Sequence, residues 1–414
     1  MMIKHGTAIV NIGLLATPEG QSARSGKAQG ELKKLKNAFI LTENGVITGI
    51  GTGSPSSDLL KDYDVIDAED NLATPGLVDA HTHLVFAGWR AHELRMKIAG
   101  MSYLDILASG GGIISTVLET RAASEADLFR KAHKSLDGML AMGTTTCEAK
   151  SGYGLNLEDE LKQLRTAKEL NKVHPVEIAS TLMAAHAIPP EYSDSKRGYI
   201  NLIIDKIIPK AAEEGLAEFC DVFCEEGIFT ASESGEILLA GQRSGLRSKI
   251  HADEIQAIGG SELAGKIGAI SAEHLIAMKD SGIDALKNGG SIACLLPGTS
   301  FYLGKPYARA RDMIASAISV AVASDFNPGS CPGYSLQFCM NLACWQYRMT
   351  PDEVLCAVTL NAAGAISRSH KIGSLEVGKQ ADILIWDATD LDFLCYRFGS
   401  NLVRAVIKKG KRVF

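Results

Sequence analysis

Eight short apolar runs recur through the middle of the chain, each ending in polar or ionisable residues: 77–83, 144–150, 176–186, 220–226, 248–254, 269–274, 291–297 and 320–325. Helix-length amphipathic stretches separate most of them. One enters at Ser124-Glu-Ala-Asp127, a capping-box-like start, puts Leu128, Ala132, Leu136 and Met139 on one face, and stops at Gly143. A strand buried on both faces reads as a continuous apolar run, whereas the helix that covers it repeats every 3.6 residues. Eight such units in alternation favour a closed parallel barrel over an open sheet, an α/β fold of the (β/α)8 TIM-like kind.

The 414 residues exceed what a single core of about 250–300 residues uses, so a second, smaller unit is expected. The two chain ends supply it. Between the β-like runs at 38–42 and 46–50 stands Asn44-Gly45, a strong hairpin signal. The tail repeats the style at 383–386 and 403–410. Neither end has strands enough for its own core, so the expected division is 1–72 and 371–414 together as one small β-sandwich, with 73–370 as the barrel. The segment 88–120, with its Gly110-Gly-Gly112 run, reads as an active-site loop region.

Net charge is −6 with the two signs interspersed, so nucleic acid is not an expected partner. The first fifteen residues lack the pattern of a signal peptide, and no apolar run approaches the roughly 20 residues of a membrane span. Nine cysteines, an odd number with no Cys-x-x-Cys pair, read as reduced thiols in a cytoplasmic protein.

The chemistry concentrates at the ends of the apolar runs. Pro75-Gly-Leu-Val-Asp-Ala-His81-Thr-His83 places two imidazoles two residues apart, on one side of a strand and at the predicted barrel mouth. Two such rings can bind one borderline metal ion or can simply be solvated. His251, His274 and Asp325 close the fifth, sixth and eighth runs, where barrel enzymes build their sites.

This pattern resembles the amidohydrolase superfamily, and the resemblance covers nearly the whole chain, including the closing Gly373-Ser-Leu-Glu-Val-Gly-Lys-Gln-Ala-Asp-Ile. It implies a metal-dependent hydrolase in which His81, His83, His251 and Asp325 hold one Zn(2+) or Fe(3+) ion per chain, with His274 nearby. Two-metal members carry a bridging lysine on strand four. The fourth run here is Cys220-Asp-Val-Phe-Cys-Glu-Glu226 and has none, which favours one ion. Glu225 or Cys224 remains an alternative bridge to a second. Lys150, ending the second run, is either structural or substrate-facing.

Further stretches resemble the branch of the superfamily that opens an imidazolone ring bearing a propionate. They are His81-Thr-His-Leu-Val-Phe-Ala-Gly-Trp-Arg90, Cys147-Glu-Ala-Lys-Ser-Gly-Tyr153-Gly, Ala184-Ala-His186-Ala-Ile-Pro-Pro, His251-Ala-Asp-Glu254 and Asp325-Phe-Asn327-Pro-Gly329-Ser330. The resemblance implies that Arg90, Tyr153, His186, Glu254, Asn327, Gly329 and Ser330 line a site for 4-imidazolone-5-propanoate. Asp325, Glu254 and His274 would be the catalytic groups. It also implies a homodimer. A carboxylate tail calls for a fixed cationic fork, which Arg90 offers, and Tyr153 and Ser330 add hydroxyls. Two rivals stand beside this reading: a deaminase of a guanine- or cytosine-like amine, and a non-catalytic scaffold of the same fold.

Overall fold

The computed structural model describes residues 6–101 and 110–414; Met1–His5, and residues 102–109 of the predicted loop region, lie outside them. The N-terminal end supplies β1 (Gly6–Thr17), β2 (Lys33–Glu43), β3 (Val46–Thr52), β4 (Tyr63–Asp67) and β5 (Leu72–Pro75). The eight central runs supply β6 (Leu77–Asp79), β7 (Thr144–Lys150), β8 (Glu177–Ala185), β9 (Phe219–Cys224), β10 (Arg247–Ala252), β11 (Ser271–His274), β12 (Ile292–Leu295) and β13 (Val320–Val322). The tail adds β14 (Ile383–Trp386), β15 (Val403–Lys408) and β16 (Lys411–Arg412).

Strands β6 to β13 pair in sequence order, all parallel, as a barrel sheet. Its first and last strands meet at the mouth rather than along their length. The Asp325 amide donates to the His81 carbonyl (3.0 Å) and the His83 amide to the Phe326 carbonyl (2.9 Å), so the seam of the barrel runs through the residues that carry the chemistry. Every residue of β7 is buried, as expected of a strand between a packed interior and an outer helix. The helix Glu125–Ala141 begins where the sequence indicated: the Ser124 hydroxyl accepts from the Asp127 amide, and Leu128, Ala132, Leu136 and Met139 are buried.

The two ends form one mixed eight-stranded sheet, ordered β16-β15-β14-β5-β1-β2-β3, with β4 also on β1. The expected sandwich is thus a single sheet turned over its own apolar face. Ile9, Ile12, Ile40, Ile47, Ile383, Ile385 and Ile407 share one buried cluster. The turn comes from β1, whose register shifts between Ile9 and Ile12. Its first half pairs with β4 and its second half with β5. Asn44 and Gly45, at φ 50° and 82°, make the predicted hairpin turn between β2 and β3, since a two-residue turn of this kind needs positive φ at both positions. Buried Lys408 bonds Asp382 (2.7 Å) and Glu177 (2.8 Å), tying the end sheet to the foot of β8. Among the described residues no helix is long and apolar enough to cross a membrane.

Candidate active site

Barrel topology gathers His81, His83, His251, His274 and Asp325 at the C-terminal ends of four strands, all of them buried. The ring of His81 lies 4.5 Å from that of His251, 5.5 Å from His83 and 5.7 Å from His274. Asp325 Oδ1 sits 3.4 Å from His81 Nε2 and 3.8 Å from His83 Nε2. Ligand atoms of His81, His83 and Asp325 lie within 4.8 Å of one another, as do those of His81, His251 and His274. His274 and Asp325 adopt left-handed backbone, φ 69° and 57°. For non-glycine residues this is uncommon and costs about 1–3 kcal/mol, a strain that recurs at functional sites.

Two carboxylates set the imidazoles. His81 Nδ1 donates to Glu273 (2.9 Å) and His251 Nδ1 to Asp221 (3.1 Å). With Nδ1 carrying the proton, each Nε2 turns a lone pair inward. Both Nε2 atoms, together with Nδ1 of His83 and of His274, are buried with no hydrogen-bond partner. Each unsatisfied buried polar atom costs about 1–3 kcal/mol, so several bare imidazole nitrogens in one buried cluster, with His81 Nε2 facing Asp325, mark a cation site. A set of imidazole nitrogens and one carboxylate, with second ring nitrogens held by acids, suits a borderline metal ion. Burial pushes the His81 and His83 pKa well below the usual imidazole range, helped by neighbouring cationic groups, and brings His274 down to about 4, so these rings are neutral and able to ligate. Burial raises the Asp325 carboxyl, and the Thr299 hydroxyl donates to its other oxygen.

Beneath these residues lies an ionic layer that the sequence reading did not find. Lys150 bonds Asp221 (2.6 Å) and Glu148 (2.9 Å), and Lys249 lies 3.3 Å from both Glu148 and Glu273, all with fully buried side chains. Burial alone would raise the Asp221 carboxyl, but His251 and Lys150 beside it hold it well below its ordinary range. Of the two roles open to Lys150, its position matches the structural one. Two residues apart on one strand, Lys249 and His251 face the same side, which was the available signal; which acid each would meet depends on register across strands.

The alternative bridging groups are engaged elsewhere. Glu225 accepts from the amides of Ile255, Gln256 and Glu226 at 2.8–3.0 Å and so organises the loop after β10. Cys224 is buried, its thiol pushed up to about 11 by burial.

Of the residues expected around a substrate, most stand at the mouth. His186 stacks on His83 (4.8 Å, 16° between planes) and its Nδ1 meets the Gly152 carbonyl at 3.1 Å. Tyr153 is buried with its ring 5.7 Å from His83 and 5.4 Å from His186. Glu254 Oε2 is 3.5 Å from His274 Nε2. Arg90 lies against Gly329, its charge acts on Tyr153 and His186, and its Nε is buried and unpartnered. Asn327 is differently occupied. Its side-chain oxygen accepts from the Gly329 and Ser330 amides, and its nitrogen donates to the Asp325 carbonyl and Ser330 Oγ. It shapes the loop that Gly329 and Ser330 belong to.

A family model described as the amidohydrolase family matches residues 72–413. An imidazolonepropionase of Fusobacterium nucleatum is 49% identical over 412 residues, 98% of each chain. One from Treponema denticola is 52% identical over 377 residues, 91% of each chain. Among solved structures, a 5-methylcytosine deaminase of Klebsiella pneumoniae superposes with TM-score 0.74 at 18% identity, covering 99% of this chain and 98% of its own. An E. coli guanine deaminase gives 0.74 at 14%, with the same coverage. Those two share the fold, whereas the near-half identity runs along almost the entire length of the first two. The chain accordingly belongs to the amidohydrolase family, on the branch of the imidazolonepropionases.

Proposed function

We propose that this site hydrolyses the ring amide of 4-imidazolone-5-propanoate to N-formimidoyl-L-glutamate, a step of L-histidine degradation. The observation that carries the reading is Arg90: a guanidinium packed on Gly329 at the mouth of the imidazole cluster, with a buried nitrogen lacking a partner. A propionate would complete it with a bidentate, charge-assisted pair.

His81, His83, His251 and Asp325 would hold a single ion, zinc or iron(III). When bound, such an ion supplies Lewis-acid polarisation and makes water a better acid and nucleophile at neutral pH. Asp325, its carboxyl raised by burial, accepts the proton of the attacking water. His274 and Glu254, paired across 3.5 Å, orient that water or meet the charge growing on the ring carbonyl oxygen. Hydroxide adds to the carbonyl carbon, the ring C–N bond breaks, and the proton held on Asp325 passes to the leaving nitrogen. Tyr153 and Ser330 offer hydroxyls to the ring, His186 walls it, and Asn327 holds Gly329 and Ser330 in place. The enzyme acts in the cytoplasm as a homodimer; exposed Trp345, Tyr396 and Phe398 support a self-contact, which sedimentation would test.

The test is a side-by-side assay of freshly made imidazolone propionate, guanine and cytosine. The expected outcome is loss of imidazolone absorbance with no ammonia from the amines. Ammonia release from either amine, with the imidazolone untouched, would favour the deaminase reading.

A further inference from the structure

We propose that Lys131 is a positioning residue for carboxylate recognition, acting through the loop that carries Arg90; this rests on the reading of Arg90 above. The loop leaves the metal-ligand strand at His83 and reaches Arg90 within seven residues. Two residues before Arg90 stands Gly88, at φ 67°, a position with little conformational restraint of its own. Trp89, the residue before Arg90, is 46% exposed, so burial does little to fix it.

The Thr120 hydroxyl holds the Ala87 amide (3.1 Å), and Lys131, on the helix Glu125–Ala141 outside the barrel, restrains the residues on either side of it. Its ammonium lies 3.6 Å from the centre of the Phe86 ring and 4.5 Å from that of Trp89, and it donates to the Gly88 carbonyl between them. The two rings themselves meet edge to face, 5.0 Å apart. One cation thus touches three of the four residues that precede Arg90, and Trp89 in turn reaches Phe326, next to Asp325, at 6.0 Å. Elsewhere in this molecule the buried lysines meet carboxylates, as Lys150, Lys249 and Lys408 do. Lys131 makes no ion pair among the described residues; it is half-buried against rings and a carbonyl. Burial brings its pKa down to about 7, with Glu119 opposing. A lysine that only shielded apolar surface would extend its ammonium into water. This one is folded back onto the loop, against two rings and a carbonyl.

The experiment uses the metal-loaded full chain and compares Lys131→Met, Lys131→Arg, Arg90→Met and the Lys131→Met/Arg90→Met double variant. Two readouts are taken: kcat and KM for imidazolone propionate, and inhibition by an imidazolone lacking the carboxylate. Lys131→Met should raise KM about 3- to 10-fold, leave kcat within about 2-fold and leave binding of the carboxylate-free ring unchanged. Lys131→Arg should restore most of the loss, because it returns a cation to both rings. The double variant should be no worse than Arg90→Met, since both changes act through one contact. A purely structural lysine would weaken both ligands alike, or would lower kcat with KM, and either result overturns the proposal. So does failure of Lys131→Arg to rescue. If Arg90→Met shows the carboxylate-specific loss and Lys131→Met does not, this proposal falls while the reading of Arg90 stands. If Arg90→Met weakens both ligands equally, that reading fails and takes the proposal with it.

Discussion

A Cβ placed on Gly329 would lie 1.1 Å from a guanidinium nitrogen of Arg90, so no other residue fits there without moving the arginine. Gly329→Ala should therefore reproduce the Arg90→Met defect, a loss of about 10–100-fold in kcat/KM from one charge-assisted pair, with metal content unchanged. Kinetics and elemental analysis of the two variants check this; a fully active Gly329→Ala would show that Arg90 is not held where it works. Asp325 carries a separate expectation. Asp325→Asn should lose about 10²–10⁴-fold in kcat if the carboxylate moves the proton, and near-wild-type turnover in a metal-loaded variant would rule that role out. At this scale the sequence was informative about residue types and less so about their partners. His-x-His announced a strand-end pair, yet nothing local marked Asn327 as the organiser of its own loop rather than a simple wall of the site, because its side-chain bonds are made only once residues 327–331 turn.

At the scale of elements, the eight strands were legible because burial on both faces makes them continuous apolar runs, and the helix after Ser124 because its cap and its stripe coincide. Strand lengths were less so: the run 77–83 becomes a strand only over Leu77–Asp79, since its last residues turn inward to close the barrel against Phe326. The acidic layer under the site was hidden for a similar reason. Glu273 and Asp221 look like ordinary strand polar residues until barrel closure brings the first to His81 and the pairing of β9 with β10 brings the second to His251. Asp221→Asn should loosen the orientation of His251 and weaken metal affinity about 10–100-fold, measured by competition with a chelator. Glu273→Gln should do the same through His81. Unchanged metal affinity in both would mean that the carboxylates balance Lys150 and Lys249 and do nothing for the ligands.

For the whole molecule, the meeting of the chain ends followed from counting strands, whereas their arrangement as one turned sheet did not. Pairing of β5 with β14 joins residues about 300 positions apart, and the shift within β1 that turns the sheet leaves no local signature. The buried imidazoles give the molecule a predictable response to acid. His186 is held to about 3 and His274 to about 4, chiefly by burial, against about 6.5 in an unfolded chain. As pH falls below about 6.5 the unfolded chain takes up protons that the folded one refuses, so stability should decline from there toward about pH 4. Denaturant midpoints should accordingly be lower at pH 5 than at pH 7, and a flat profile would contradict the buried, neutral assignment. Ring-amide hydrolysis at the His/Asp cluster is open to mass analysis of the product formed from imidazolone propionate in isotopically labelled water. Wild type should form N-formimidoyl-L-glutamate carrying one labelled oxygen in its new carboxylate, and metal-loaded Asp325→Asn should form almost none. An unopened ring, or a ring that has lost ammonia, would contradict it.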